Sequence, residues 1–128
     1  MILFLELDEV VEIHRDQIAR YGGTAGIRDM GLLQSALAMP QAGSGGQYFH
    51  ADLFEMAAAY LYHIASNRPF VDGYKRVAMA AALTFLELNG LSVGVDASAA
   101  IEKLVLSVAS GKAGKAEATP FFREHARS

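Results

Sequence analysis

Two segments in the middle of the chain are apolar on nearly every side. In residues 53–66 and again in residues 77–88, only a few polar side chains interrupt the apolar run. A helix without a polar face is a buried helix, and Asp52 before the first segment and Asn89-Gly90 after the second are typical cap residues. Each segment is shorter than the ~20 residues that a bilayer-spanning helix needs. The pattern therefore predicts two buried central helices.

The flanking segments mix apolar and polar positions at helical spacing. Four of them have the pattern of surface helices: residues 9–21, residues 32–39, a segment from Asp96 or Ser98 to about 110, and residues 117–126. Asp8 is predicted to cap the first of these helices, and Pro40 is predicted to stop the second. Pro120 is predicted to lie near the N-terminus of the last helix, where its missing N–H is tolerated.

Only short stretches favour extended structure. Residues 2–5 form a β-prone run that becomes either an edge strand or an extended arm, and residues 91–95 predict a small strand. Residues 41–50 contain three glycines followed by two aromatic residues and are predicted to form a mobile flap. The predicted fold class is therefore all-α: a helical bundle with two buried central helices joined by a loop, with a short N-terminal strand or a small hairpin, in one domain spanning residues 1–128.

Composition and charge narrow the class of protein. The 128 residues are 52% hydrophobic and 20% charged, which is typical of a globular domain. The absence of cysteine excludes a disulfide framework and fits the reducing cytoplasm. The apolar N-terminus meets Glu6 and Asp8 too soon for a signal peptide. A net charge of −3 argues against general nucleic-acid binding, which needs a basic face.

The loop between the two central helices carries the candidate chemistry. Residues 67–76 read Asn-Arg-Pro-Phe-Val-Asp-Gly-Tyr-Lys-Arg. A loop that opens into a helix leaves backbone N–H groups unpaired, and these attract anions even before Lys75 and Arg76 add their charges. Asp72 beside such an anion is placed to hold Mg2+, because carboxylate and phosphate oxygens together are its usual ligands. The loop therefore predicts a nucleotide phosphate site.

The same residues resemble the signature of a known family. Residues 67–76 are similar to the Fic/Doc (Fido) pattern His-Pro-Phe-x-(Asp/Glu)-Gly-Asn-(Gly/Lys)-Arg, which lies between two central helices. The flanks resemble the Doc branch, the death-on-curing toxins of Phd-Doc type II toxin–antitoxin systems. The flanking segments that carry this resemblance are Arg20-Tyr21-Gly22-Gly23, residues 26–35, Asp52-Leu53-Phe54-Glu55 and Phe85-Leu86-Glu87-Leu88-Asn89-Gly90.

The resemblance implies roles for the five matching positions. Phe70 would anchor the loop in the core, and Asp72 would hold Mg2+. Gly73 would let nucleotide phosphates approach the backbone. Lys75 and Arg76 would contact those phosphates. The resemblance thus implies ATP and Mg2+ as cofactors.

Two central positions depart from the family pattern. Arg68 stands where the family has the catalytic histidine, and Tyr74 stands where it has a phosphate-binding asparagine. Arginine stays protonated at physiological pH, so Arg68 cannot replace an imidazole with a pKa near ~6.5 as general base, although it can bind phosphate. Loss of general acid–base catalysis typically costs ~10²- to 10⁴-fold in rate. Tyr74 is bulky and would partly fill or cap the phosphate site.

The resemblance implies a function and partners. The branch activity is ATP-dependent phosphorylation of a threonine on elongation factor Tu, which inhibits translation in the cytoplasm. A Phd-like antitoxin is the expected partner, and no membrane or direct nucleic-acid contact is expected. Two alternatives remain: a Fic-type AMP transferase, and a non-catalytic module that binds nucleotide or antitoxin. Because of Arg68 and Tyr74, we expect catalysis to be impaired in this chain.

The histidines show no spacing typical of a metal site. His63 lies five positions before Arg68 and is the nearest substitute base, but a lone histidine on a buried helix is usually a hydrogen-bonded core residue. We therefore expect a structural role for His63. His14, His50 and His125 are expected to be surface or flap residues.

Overall fold

The computed structural model describes all 128 residues, Met1–Ser128. It contains six α-helices: α1 Leu7–Tyr21, α2 Met30–Ala38, α3 Leu53–Asn67, α4 Tyr74–Leu88, α5 Ser98–Ala109 and α6 Lys115–His125. Two 3₁₀ turns and four two-residue strands complete the elements: Met39–Gln41, Val95–Ala97, β1 Gly43–Ser44, β2 Gln47–Tyr48, β3 Ser92–Val93 and β4 Ala126–Arg127. The all-α fold class is confirmed.

Helices α3 and α4 form the centre of the bundle. They pack along each other, while α2, α5 and α6 surround α3 and α1 packs on α4. The buried side of α3 includes Tyr60, whose ring lies 5.1 Å from that of Phe85 on α4. Both helices bury most of their apolar side chains, as expected for segments without a polar face. The prediction of two buried central helices joined by the candidate loop is confirmed.

Four of the predicted helix starts differ from those observed. Helix α2 begins at Met30 and not at residue 32, and α1, α4 and α6 also begin earlier than predicted. Helix α1 begins at Leu7 and not at residue 9, because Glu6 takes the cap position that was predicted for Asp8. The Glu9 carboxylate accepts a hydrogen bond from the Glu6 N–H (2.9 Å). Helix α4 begins at Tyr74, so the last three residues of the candidate loop form its first turn. The Asp52 cap of α3 is confirmed, since its carboxylate accepts from the Glu55 N–H (2.9 Å).

Helix α6 begins at Lys115 rather than residue 117, which places Pro120 inside it. The prediction that Pro120 lies at the N-terminus is therefore wrong. Both Pro120 and Ala116, whose carbonyl the proline leaves without its helical partner, are exposed, so water can satisfy the free carbonyl. The start is set instead by Glu117, whose carboxylate accepts from the Gly114 N–H (3.2 Å).

The N-terminal residues form an extended arm and not a strand. The side-chain amide of Asn89 pairs with both backbone groups of Leu3, accepting from its N–H and donating to its carbonyl (both 2.9 Å). The Tyr60 hydroxyl accepts from the Leu5 N–H (3.0 Å). Of the two alternatives for residues 2–5, the edge strand is wrong and the extended arm is confirmed, because the side chains of Tyr60 on α3 and of Asn89 just after α4 replace a partner strand.

A small hairpin forms within residues 41–50. Strands β1 and β2 pair antiparallel around Gly45-Gly46, and both turn glycines have positive φ (59° and 80°), as a two-residue type I′ turn requires. Tyr48 packs edge-on against Phe4, and Phe4 stacks on Phe85 near the C-terminal end of α4. The candidate loop lies at the other end of α4, ~17 Å away along the helix axis. A flap over the candidate site is therefore not formed by these residues.

The strand predicted over residues 91–95 is confirmed in a shorter form. Ser92–Val93 pairs antiparallel with Ala126–Arg127 after the last helix.

None of the six helices has both the length and the apolar character that crossing a bilayer requires.

Candidate active site at the motif loop

The motif loop, residues 68–73, begins where α3 ends. Arg68 adopts a left-handed conformation (φ 49°, ψ 56°) and is the only non-glycine residue in the chain with positive φ. The Arg28 guanidinium donates to the carbonyls of Asn67 (2.8 Å) and Arg68 (2.7 Å). These carbonyls lie at the C-terminus of α3, where a helix leaves its acceptors unpaired. The end of the helix is thus closed by an arginine from another segment.

A second segment runs antiparallel to the loop and holds its backbone. The Pro69 carbonyl accepts from the N–H groups of Arg28 (2.8 Å) and Asp29 (3.2 Å), and the Val71 N–H donates to the Gly26 carbonyl (3.0 Å). A bridge between Ile27 and Phe70 continues the same pairing. The loop conformation is therefore fixed by the fold before any ligand binds.

The underside of the loop rests on helix α1. Phe70 is 1% exposed and stacks flat on His14, with ring centroids 4.0 Å apart. His14 Nε2 lies 2.9 Å from the Asp72 carbonyl oxygen. Because a carbonyl only accepts, this nitrogen carries the proton and cannot serve as a base. The prediction that His14 is a surface residue is wrong: it is buried four residues after buried Val10, on the inward side of the helix.

Asp72 points away from the core and is held by backbone donors. Its carboxylate accepts from the N–H groups of Thr24 (3.2 Å) and Gly73 (3.0 Å). The hydrogen bond from Thr24, then that from Gly73, lowers the pKa of Asp72 below its usual range, and the nearby Arg76 acts in the same direction. Gly23 makes this approach possible, since a Cβ there would lie 2.8 Å from Asp72 Oδ2. The carboxylate is therefore ionised and accessible.

The start of α4 has the donors that an anion needs. Gly73 caps the helix in a left-handed conformation (φ 74°), and it presents no side chain. The backbone N–H groups of Tyr74, Lys75 and Arg76 donate to no acceptor within the chain. Three free N–H groups at a helix N-terminus fit a phosphate group. Asp72 beside them fits Mg2+ held jointly with phosphate oxygens, and the chain has no cluster of three His, Asp or Glu side chains that would hold a metal alone.

The structure divides the predicted site residues between two faces of the loop. We call the side toward α1 the α1 face: there Arg76 donates to the Gly22 carbonyl (3.0 Å) and lies over the Tyr21 ring, next to Asp72. Arg76 also lines a cavity with Glu102 and Leu106 of α5, so it borders both sides of the loop. We call the other side the α5 face. It carries Arg68, Tyr74 and Lys75.

On the α5 face, Tyr74 packs against the core with part of its ring exposed, and the cations Arg68 and Lys75 lie beside that ring. The Arg68 guanidinium lies 5.7 Å from the centre of the Tyr74 ring, and Lys75 Nζ lies 5.8 Å from it. A long hydrogen bond of 3.5 Å joins Arg68 to the Ala109 carbonyl. The two positions that depart from the family pattern therefore lie together on the same face.

His63 does not substitute for the missing base. Its Nε2 lies 3.1 Å from Lys115 Nζ on α6, and burial together with the charge of Lys115 lowers the pKa of His63 to about 4. The prediction of a hydrogen-bonded structural histidine is confirmed. No histidine side chain lies among the residues of the α5 face.

Sequence reasoning missed several residues that build the site. These are His14, Gly23, Thr24 and Arg28. The burial of His14 could have been predicted, because its four-residue spacing from Val10 places both side chains on one side of α1. Thr24 contacts Asp72 and Arg28 contacts Arg68, in each case across more than 38 residues of sequence, and no local sequence pattern predicts these contacts.

Comparison with known proteins agrees with the motif. The sequence model of the Fic/DOC family matches residues 4–86. Toxin Doc of Mycolicibacterium smegmatis is 46% identical over 76 residues, which are 59% of this chain and 58% of that protein. Protein kinase doc of Escherichia phage P1 is 37% identical over 86 residues, which are 67% of this chain and 68% of that protein. The match thus spans less than two thirds of the mycobacterial relative.

Proposed function

The chain belongs to the Fic/DOC family, and from this premise we propose that it is a Doc-like toxin of a type II toxin–antitoxin system whose own transfer activity is impaired. The proposed reaction is ATP-dependent phosphorylation of a threonine on elongation factor Tu, which would inhibit translation in the cytoplasm. The proposed partner is a Phd-like antitoxin. The names of the two relatives, one a toxin and the other a protein kinase, support this proposal.

One observation carries the proposal of impairment: Arg68 occupies the position of the family base, and no histidine replaces it. His14 donates to a carbonyl from beneath the loop, and His63 faces Lys115 on another helix. Without a base, the target hydroxyl keeps its proton during attack, which typically costs ~10²- to 10⁴-fold in rate.

The remaining site residues suit the binding and orientation of a nucleotide. When bound, ATP with Mg2+ would supply the phosphoryl group and neutralise its charge. The first N–H groups of α4 would orient the phosphates, Lys75 would add a charge, and ionised Asp72 would hold the metal from the α1 face. Tyr74 narrows the phosphate site, since its ring lies where the family has a compact amide.

A growth assay tests the proposal. We expect expression of the parent chain to slow growth little, and expression of Arg68→His/Tyr74→Asn to arrest it. The matched control adds Asp72→Asn to the double variant, and growth should return if the arrest depends on the metal-binding carboxylate. Co-expression of a Phd-like antitoxin should also restore growth. A double variant that accumulates as folded protein and leaves growth unchanged would refute the proposal.

Arg68 also favours a second candidate, a non-catalytic module that binds nucleotide or antitoxin. Calorimetry of the parent chain with ATP and Mg2+ tests its nucleotide form, and the absence of any heat of binding would remove it. If the double variant transfers a group, ATP labelled at the α or the γ phosphate separates AMP transfer from phosphorylation.

A further inference from the structure

Arg68 is the one non-glycine residue whose backbone lies in the left-handed region. Its φ of 49° and ψ of 56° bring the Cβ atom close to the following carbonyl oxygen. It also precedes Pro69, and a residue before proline favours extended backbone. Because both local preferences oppose this conformation, contacts from elsewhere in the fold must hold it.

Arg28 supplies such contacts. Three consecutive carbonyl groups accept hydrogen bonds from it: its guanidinium donates to Asn67 (2.8 Å) and Arg68 (2.7 Å), and its backbone N–H donates to Pro69 (2.8 Å). A different φ and ψ at residue 68 would turn the Arg68 carbonyl relative to that of Asn67. A planar guanidinium with a rigid fork of donors could not then reach both acceptors. The three bonds therefore fix the backbone of residue 68.

No other residue shares this role of the Arg28 guanidinium. The carbonyls of Asn67 and Arg68 accept from no other donor in the chain, and Arg28 forms no ion pair that would draw its guanidinium elsewhere. The Asp29 carboxylate caps α2 by accepting from the Leu32 N–H (2.9 Å), and the Asn67 amide donates to the Leu32 carbonyl (3.0 Å). The start of α2 thus holds Arg28 against the end of α3.

The backbone at position 68 decides where its side chain lies. In the observed conformation Arg68 lies on the α5 face, with its guanidinium 5.7 Å from the centre of the Tyr74 ring. The family pattern has its catalytic histidine at this position, and a general base acts only within hydrogen-bond reach of the proton that it takes. A misplacement of ~1 Å can cost ~10²-fold in rate. The contact that sets the backbone of residue 68 therefore bears on the rate of transfer.

We propose that Arg28 is a positioning residue for the transfer reaction: it holds residue 68 in the left-handed conformation and thereby directs the side chain at that position toward the reacting hydroxyl. For the reaction, the inference rests on the proposed function; for the hold on the backbone, it does not. Arg28 lines neither of the two cavities beside the motif loop, so we assign it no contact with nucleotide or metal. It lies 40 positions before Arg68 and outside the motif.

NMR spectroscopy of the full chain without any ligand tests the hold on the backbone. A strong nuclear Overhauser contact between the amide proton and the Hα of one residue marks positive φ, because the two protons come closest there. We expect this contact at Arg68 in the parent and its loss in Arg28→Gln, as residue 68 moves toward the extended region that a residue before proline favours. Persistence of the contact in Arg28→Gln would overturn the inference.

Arg127→Gln is the matched control for this measurement. The Arg127 guanidinium also donates to carbonyls at the end of a helix, those of Ala126 (2.8 Å) and Arg123 (3.5 Å), but it does so at α6. The control thus removes the same charge and the same kind of contact. It should leave the contact at residue 68 as in the parent. Loss of that contact in both variants would show a general effect of removing an arginine, and this outcome also overturns the inference.

Transfer kinetics test the effect on the reaction. The background is Arg68→His/Tyr74→Asn, assayed with elongation factor Tu and ATP with Mg2+. Adding Arg28→Gln should lower kcat at least about tenfold, because the histidine loses its alignment. The KM for ATP should change less than about twofold, since Asp72 and the first N–H groups of α4 are not altered. A rise in KM as large as the fall in kcat would indicate general loosening of the site and would contradict positioning.

Arg28→Lys separates the shape of the guanidinium from its charge. Lysine keeps the charge but lacks the fork of donors, so kcat in the same background should fall about as far as with Arg28→Gln. Arg127→Gln should change neither kcat nor KM. Full activity with Arg28→Lys would show that charge alone suffices, and the inference about the two-carbonyl contact would fail.

The two experiments separate this inference from the proposed function. If Arg68→His/Tyr74→Asn transfers no group, the proposed function fails, and the NMR contact alone decides whether Arg28 holds residue 68. If that variant transfers and the addition of Arg28→Gln causes no loss of kcat, the positioning inference fails and the proposed function stands. Thermal unfolding followed by circular dichroism establishes that each variant is folded.

Discussion

The two faces of the motif loop differ in how the fold holds their side chains. On the α1 face, Asp72 accepts two backbone N–H groups and Arg76 donates to a backbone carbonyl. On the α5 face, Tyr74 packs against the core, whereas Arg68 and Lys75 are exposed beside its ring and make only one side-chain hydrogen bond, of 3.5 Å, to the rest of the chain. The two departures from the family pattern both lie on the face whose side chains make fewer hydrogen bonds to the fold. This difference indicates that chemistry can change on the α5 face without loss of the fold.

The largest expected effect comes from removing Phe70, the side chain that anchors the loop in the core. Phe70→Ala should lower the free energy of unfolding by about 3–5 kcal/mol, because it leaves a cavity beside His14 in the core. Arg68→Ala, on the α5 face, should change it by less than about 0.5 kcal/mol, as is usual for exposed side chains. Urea unfolding of both variants measures the difference. Similar values for the two variants would remove the distinction between the faces.

A smaller loss of stability is expected when the close contact between Gly23 and Asp72 is disturbed. Gly23 has φ 116°, and a Cβ there would meet Asp72 Oδ2 at 2.8 Å. Gly23→Ala should therefore cost about 1–3 kcal/mol of stability, through backbone strain and through displacement of the carboxylate. The part that comes from the carboxylate should disappear in an Asp72→Ala background. A double-mutant cycle by urea unfolding measures that coupling, and a coupling of zero would show that the carboxylate is not held against Gly23.

The smallest expected effect is a shift in the titration midpoint of the Asp72 carboxylate. The pKa of Asp72 is lowered in the folded protein, so the ionised carboxylate contributes stability above the unfolded value of ~3.9 and loses it as the pH falls through the folded value. The amide signals of Thr24 and Gly73 should follow this titration by NMR, with a midpoint below ~3.9. Arg76→Gln should raise the midpoint, and Arg68→Gln should leave it unchanged. A shift caused by Arg68→Gln would mean that the faces are electrostatically coupled.

Much of the fold follows from local patterns in the sequence. Helices α3 and α4 lack a polar face, and this signal needs no knowledge of their partners. The Asp52 cap is also predictable from local sequence, because its carboxylate binds the Glu55 N–H only three residues away. The predicted cap at Asp8 is wrong because Glu6, two residues before Asp8, takes the cap position and its N–H donates to the Glu9 carboxylate. Several acidic residues compete for this role in that stretch.

The features that the sequence did not show depend on contacts between distant segments. The arm at residues 2–5 is not a strand because Asn89, 86 positions from Leu3, supplies the pairing that a neighbouring strand would have made. The flap predicted over residues 41–50 is a hairpin before α3, and the length of α3 separates it from the motif loop. The division of the motif into two faces likewise follows from the packing of α1 and α5 on either side of the loop. Such packing leaves no periodic signal in the motif itself.

Phosphoryl transfer by purified protein tests the central claim most directly. The parent chain and Arg68→His/Tyr74→Asn are each incubated with elongation factor Tu, Mg2+ and ATP labelled at the γ phosphate, and the label on the target is followed over time. We predict transfer by the double variant at least about 10²-fold faster than by the parent, and loss of that transfer when Asp72→Asn is added. Equal rates for the parent and the double variant, whether both high or both absent, would contradict the claim that Arg68 and Tyr74 impair an otherwise complete site.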